Sequence, residues 1–317
     1  MKNIFFLLIL SVSISSVAQN QNIIHTDIDN FWATYDQLEK CKTKADSIQL
    51  FQTEYLDKAS EGFASFADYS DCTAQGYYSL VKEKPKFYKS IKVNTLKIKE
   101  MTDDIEQVYV AYEEVFPDHI QPKICFSIGC LNSGGTVDNG YLLIGADIMA
   151  TDSTTDKSEL GPWLNAVMTN ELDIKGIVAH EYVHALQKSG MNAIWAYINH
   201  QVLFISLQEG SADFLAEKIA GTTINKNVFE YGHTNEQQIW EDFKKDIYSN
   251  RARNWVYQGD NAKKGQPADL GYFVGYKICE AYYNKAKDKQ KALKEILEMR
   301  KYKQFYKKSG YDGPVKN

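Results

Sequence analysis

The sequence has no long basic run, and its 36 lysines and arginines are outnumbered by 41 aspartates and glutamates. A formal charge of −5 gives nucleic acid no electrostatic footprint, so no nucleic-acid partner is expected. Beyond the N-terminus no apolar stretch is long enough to cross a bilayer, so no membrane span is expected after that point. CxxC pairs are absent, which argues against a zinc ribbon. No internal repeat and no low-complexity segment appears. Cysteine is scarce: Cys41, Cys72, Cys125, Cys130 and Cys279. Five is an odd number at low density, so Cys41–Cys72 is the pair expected and the others should be small buried hydrophobes. Cys125 and Cys130 would face opposite ways on one straight strand.

What is present is a globular composition, 44% hydrophobic and 24% charged over 317 residues. That supports a sizeable core. Aromatics reach 13%, including 21 tyrosines, expected to pack a helical core with hydroxyls near its rim. The N-terminus reads MKNIFFLLILSVSISSVAQN. Lys2, the apolar run Ile4 to Ile14 and the small residues Ser16 and Ala18 predict a signal peptide over 1–18. The mature protein is therefore expected to be exported and soluble, in the periplasm or outside the cell. No cysteine lies near the cut, so no lipid anchor is expected there.

Residues 19–26 read as a flexible start. Helical periodicity then runs to about 115, with Phe31, Tyr35 and Leu38 on one face of the first helix. Pro117 and Pro122 break it. "ICFSI" and "YLLIG" are short β-rich runs, and a small sheet is expected over 123–150, its strands joined by the glycine-rich loop around Gly134 and Gly135. Helices return over 170–220. The first should run from Leu172 to Lys188, closed by Gly190, and the second from Tyr197 to Ile219. The remainder, 221–317, reads as helical and aromatic.

The stretch GIVAHEYVHALQ, Gly176 to Gln187, carries the chemistry. His180 and His184 are four residues apart, so on a helix they lie about 40° apart around the axis and about 6 Å along it. Both imidazoles can reach one ion. Glu181 stands where it can deprotonate a water held by that ion. The apolar flank makes this helix buried, and two histidines and a glutamate facing an interior are costly unless paired or metal-bound. A catalytic zinc takes three protein ligands and keeps one position open. The metzincin third histidine is missing, since "ALQKSGMN" follows His184. SLQEGSADFLAEKIAG supplies carboxylates instead. Glu209 can be the third ligand, with Asp213 on the same helix face accepting the other N–H of a ligand histidine. Glu217 is the competing ligand.

HEYVH at 180–184 with EGSAD at 209–213 resembles the HExxH and ExxxD pair of thermolysin-type gluzincins. More closely, the chain resembles predicted secreted zinc metalloproteases related to gliding-motility lipoproteins. The pieces that carry this are FSIGCLNSGGTV, YLLIGAD, VAHEYVHALQ, LQEGSADFLAE, YGHTNEQQIWEDF and PADLGYFVGYKICEAYY, between residues 126 and 283. The lipobox cysteine of the gliding-motility relatives is the one departure. The resemblance implies one Zn2+ on His180, His184 and Glu209, Glu181 as general base, and Asp213 behind the ligands.

The expected fold is α+β and mostly helical: an N-terminal helical region, 19–115, then a zincin-like region, 116–317, with a small sheet, an active-site helix and two lobes around a cleft. The expected reaction is hydrolysis of a peptide bond in a peptide or protein substrate. An oxyanion donor is needed, and Tyr272, Tyr276 and His233 are the candidates. Asn132, Gly134 and Gly135 are expected either to let a substrate strand approach or to form a plain hairpin turn. The rival readings are a zincin-like exported binding or assembly protein that keeps zinc structurally, and a metal-free helical binding protein.

Overall fold

The computed structural model describes residues 22–168, 171–187 and 191–314. The predicted signal peptide, Lys188 and Gly190 lie outside the described residues. Six helices lead the chain: α1 Thr26–Gln37, α2 Lys44–Phe51, α3 Glu61–Tyr69, α4 Ala74–Glu83, α5 Pro85–Lys97 and α6 Thr102–Val115. Short polar side chains start several of them. Thr43, Ser60 and Thr73 each accept a backbone N–H of the first turn, the usual way of satisfying donors that lack an intrahelical partner. Phe31 anchors this bundle, within ring contact of Phe51, Tyr55, Tyr77 and Tyr88.

A four-stranded mixed sheet follows: β1 Ile23–Ile24, β2 Lys123–Ser127, β3 Gly135–Asp138 and β4 Tyr141–Gly145, in the order β1-β2-β4-β3. The expected flexible start is thus partly wrong, because Ile23 and Ile24 pair parallel with Ile124 and Cys125. The sheet is where it was expected, but its connectivity differs. β2 and β4 are parallel neighbours, and the segment Gly135–Asp138 is itself a strand on the outer edge of β4. Asn139 (φ 48°) and Gly140 (φ 79°) turn β3 into β4, the left-handed pair that a two-residue hairpin of this twist requires. All of β4 is buried, whereas β3 is half-buried at the edge.

The chain then forms α7 Ala146–Met149, α8 Pro162–Val167, α9 Ile174–Leu186, α10 Met191–Asn199, α11 Gln201–Leu215, α12 Lys226–Asp246, α13 Leu270–Lys285, α14 Lys289–Leu297 and α15 Tyr302–Ser309. The long second helix expected over 197–219 is broken. His200 leaves helical geometry between α10 and α11 (φ −150°, ψ 52°), and α11 ends in a π-turn at Ala216–Ala220. The protein is therefore mostly helical with one small mixed sheet, an α+β arrangement.

Three tyrosine hydroxyls reach past the rim and tie the layers together in the interior. Tyr55 and Tyr77 both donate to the Ile128 carbonyl (2.7 and 3.0 Å), and Tyr112 donates to the Ala179 carbonyl of α9 (2.7 Å). Buried hydroxyls need such partners. The expected Cys41–Cys72 bond is not formed. Cys72 pairs with Cys130 instead, at a Cα–Cα distance of 5.8 Å. The two tyrosine bonds to Ile128 and the Asn132 amide on the Ser70 carbonyl (2.6 Å) dock the loop after β2 onto the turn between α3 and α4. That docking sets the pairing, which spacing along the chain cannot reveal.

Two glycines fix how the site helices meet. On α13, a Cβ at Gly275 would stand 1.7 Å from the Ser206 carbonyl oxygen. One at Gly210 of α11 would stand 2.2 Å from the Tyr276 nitrogen. Only bare backbone lets α11 and α13 approach this closely.

Candidate metal centre

Helix α9 starts at Asp173, whose carboxylate caps the Gly176 N–H at 2.8 Å. Its residues from Gly176 to Val183 are all buried, because α6, α11 and the sheet surround it. The motif therefore sits in the interior. His180, Glu181 and Glu209 are 3%, 7% and 6% exposed.

The candidate ligand atoms of His180, His184 and Glu209 lie together. His184 Nε2 lies 3.1 Å from His180 Nε2 and 3.2 Å from Glu209 Oε2, and His180 Nε2 lies 3.4 Å from the same oxygen. Four ligands about 2.1 Å from a tetrahedral zinc stand about 3.4 Å apart. This triangle has nearly that size. No other such group of His, Cys, Asp or Glu is found among the described residues.

Both imidazoles are held from behind. His180 Nδ1 faces Asp213 Oδ1 at 2.8 Å, the placement expected of Asp213. The other Asp213 oxygen accepts from Asn225 Nδ2, also at 2.8 Å. His184 Nδ1 faces Gln187 Oε1 at 3.0 Å, and Gln187 is fixed in turn by the Gln208 carbonyl and the Ser211 hydroxyl. With Nδ1–H donated backward on each ring, each Nε2 lone pair points at the shared position. The donor set and its spacing fit zinc.

Burial alone would depress His180, but the Asp213 and Glu209 carboxylates overcome it and hold the imidazole well above its ordinary range. Burial would likewise raise Glu209, yet the two histidines pull it well below the carboxylate range. Burial raises Glu181, partly offset by His184 and His180. The cluster is a buried site in which opposite charges face one point.

Glu181 also touches the edge strand. A Cβ at Gly135 would fall 2.6 Å from Glu181 Oε1, so β3 passes directly over the carboxylate. Of the three residues expected to meet a substrate, only Gly135 is in this position. Asn132 holds the Ser70 carbonyl, and the Gly134 carbonyl accepts the Gly145 N–H at 3.0 Å. Tyr272 stacks against His180, with ring centroids 6.2 Å apart and planes 16° from parallel. Tyr276 points elsewhere and donates to Glu217 Oε2 at 2.6 Å. His233 lies edge-on to Phe273. Glu217, the competing ligand, is engaged by Tyr276 and Lys218 on the π-turn.

Two residues escaped the sequence reading. Gln187 was within reach, three positions after His184, where it ends the same helix. Tyr257 was not. Its hydroxyl donates to Glu209 Oε1, from a loop that puts it at φ 54°. A non-glycine residue in the left-handed region leaves no sequence signal.

The fold and the cluster define a mostly helical α+β protein with a buried group of His180, His184 and Glu209 that could hold a metal ion. A family model described as "Gliding motility protein GldB" matches residues 10–313, and the chain belongs to this family. No curated protein and no solved structure matches the chain. The family places the chain among exported, envelope-associated proteins, and no helix among the described residues is long and apolar enough to cross a membrane.

Proposed function

We propose that the chain is a zinc-dependent peptidase of the cell envelope, of gluzincin type, acting on a peptide or protein substrate. The single observation that carries this reading is the ligand triangle of His180, His184 and Glu209, with edges of 3.1, 3.2 and 3.4 Å. A zincin-like unit with two lobes around the site would give a substrate its path to that triangle. Zinc held there would supply a Lewis acid that lowers the pKa of a coordinated water and polarises a peptide carbonyl.

The chain's own residues supply the rest. Glu181 takes the proton from the attacking water and passes it to the leaving amine. Its burial raises its proton affinity, which suits a group that must first accept and then donate. Asp213 and Gln187 hold the two histidine tautomers. Tyr272, beside Glu209 and stacked on His180, is the candidate to donate to an oxyanion, because the Tyr257 proton is already committed to Glu209 Oε1. The β3 edge offers backbone groups for an added strand next to Glu181.

The test combines metal analysis of the purified protein with cleavage profiling on a peptide library, with and without chelator. One zinc per chain and chelator-sensitive cleavage are expected. Glu181→Gln should retain zinc and lose activity by orders of magnitude. A zinc-loaded Glu181→Gln protein that cleaves as fast as wild type would overturn the mechanism.

A second reading has its own support. Glu181 is only 7% exposed, and the Tyr257 hydroxyl is already engaged by Glu209. An exported binding or assembly protein that keeps zinc structurally would show this closure. Stoichiometric zinc without cleavage of any library peptide would favour it.

A further inference from the structure

Helix α10 is built unlike the rest of the surface. Met191, Ile194, Trp195, Tyr197 and Ile198 are 81%, 57%, 55%, 50% and 60% exposed, and no charged residue lies in Met191–Asn199. Nothing in the candidate metal centre uses these side chains. Exposed apolar residues this dense mark a contact surface. Its chemistry narrows the partner. No aspartate or glutamate occurs between Glu181 and Glu209, in a chain that carries 41 of them. Beyond the C-terminal end of α10 a cationic element is reached through His200, Phe204 and Tyr248. Trp195 stacks edge-on to His200 (5.1 Å), His200 to Tyr248 (5.5 Å), and Lys303 Nζ sits 4.5 Å over the Tyr248 ring. Tyr302 packs on Phe204, which in turn meets Tyr197. These contacts join α10 to α15 and the residues before it. Between Glu298 and Asp312 the chain carries Arg300, Lys301, Lys303, Lys307 and Lys308 and no acid.

We propose that α10 and the basic segment 300–308 form a docking face for an anionic lipid surface. Trp195, Ile194 and Ile198 enter the headgroup–acyl boundary, and the cations of 300–308 face the lipid phosphates. An apolar helix with tryptophan and tyrosine suits the interface, and a neighbouring cationic patch supplies attraction that an acidic protein otherwise lacks. The charge pattern favours lipid over a second copy of this chain, because a two-fold dimer through this face would set the cations of 300–308 against their own copies with no acid in either segment.

The test is co-sedimentation of the mature protein with vesicles of phosphatidylglycerol and phosphatidylcholine. Binding should rise with the anionic fraction and fall with salt. Trp32, Trp240 and Trp255 are buried and Trp163 is half-buried, so in a Trp163→Phe background a blue shift of tryptophan emission on binding reports on Trp195. Trp195→Gln with Ile198→Gln should weaken binding by about tenfold or more. Removing Arg300 and Lys301 should cost about fivefold each. All four side chains are exposed, and far-UV circular dichroism and melting check that the variants fold. Absence of vesicle binding overturns the proposal, as does binding indifferent to anionic lipid or to the α10 substitutions. A dimer that Trp195→Gln dissolves, without vesicle binding, would overturn it in favour of a self-association surface.

Discussion

Asp213 is the sharpest point at which to perturb the site. It is fully buried, with one oxygen on His180 Nδ1 and the other on Asn225 Nδ2, each at 2.8 Å. Asp213→Asn keeps the volume and removes two things. The charge that favours a backward-pointing N–H is lost, and one of two acceptors becomes a donor. If the new amide presents its NH2 to His180, Nε2 must carry the hydrogen and cannot bind a metal. If it presents its oxygen, its NH2 faces the Asn225 amide. Second partners of metal-bound histidines are worth 10- to 100-fold in affinity, or about 1.4–2.7 kcal/mol. With zinc at about 100 times its dissociation constant, wild type should gain about 2.7 kcal/mol of stability. At the same zinc concentration the variant should gain only about 0.4–1.4 kcal/mol. For a chain of 317 residues the unfolding entropy is about 0.65 kcal/mol per degree. Zinc should then raise the wild-type Tm by about 4 °C and that of the variant by about 1–2 °C. Titration calorimetry with chelator competition gives the affinity directly, and melting curves with and without zinc give the shift. A folded Asp213→Asn protein with wild-type zinc affinity would refute the role assigned to Asp213.

Three further outcomes follow from the geometry. Gly275→Ala places a Cβ 1.7 Å from the Ser206 carbonyl, which must force α13 off α11. A loss of about 3 kcal/mol or more is expected in urea melts, and a wild-type midpoint would show that the crossing can yield. Replacing Cys72 and Cys130 by serine opens a loop of 58 residues and should cost about 4 kcal/mol, read from the same melts; an unchanged midpoint would remove the bond from the stabilising interactions. Asp147 is buried beneath the loop after β2, where burial raises its carboxyl to about 6 despite N–H bonds from Gly129 and Leu131. A carboxyl raised on folding binds more protons in the native state. It therefore subtracts stability as pH climbs from its unfolded value near 4 to about 6, by about 3 kcal/mol in all. Asp147→Asn removes that slope, so the gap between variant and wild type should narrow between pH 4.5 and 7, and a constant gap would refute it.

Much of this fold was legible because its signals are local. The helical periodicity to 115, the β-rich runs at 123–127 and 141–145, and the motif helix all depend on neighbours within a few residues. What failed depends on distant partners. β2 and β4 look like a hairpin in sequence, yet β4 forms its hairpin with β3 on its outer edge, and the chain passes the place of β4 on its way from β2 to β3. The pairing of Cys72 with Cys130 follows from that path, since it sets where the loop after β2 lands. The break at His200 was hidden as well. "NHQV" carries neither glycine nor proline, and the chain leaves helical geometry there so that α10 can turn outward.

The same division runs through the site. Residues that act by helix spacing were readable: His180 and His184 at i and i+4, then Glu209 and Asp213 at i and i+4 on α11. The packing behind their convergence was not. It rests on Gly210 and Gly275, whose missing side chains bring Tyr272 of α13 onto the His180 ring. Tyr272 and Tyr276 are one turn apart on α13, and sequence alone treats them as equals. Packing separates them, because the crossing turns Tyr272 toward the histidines and Tyr276 toward Glu217. Gly135 makes the same point from the sheet side. Set among Asn132, Ser133 and Gly134 it reads as loop, but it begins an edge strand lying on Glu181. A side chain at Gly135 should therefore disturb the proposed general base before it disturbs the sheet. That places the limiting constraint on this site in its glycines as much as in its ligands.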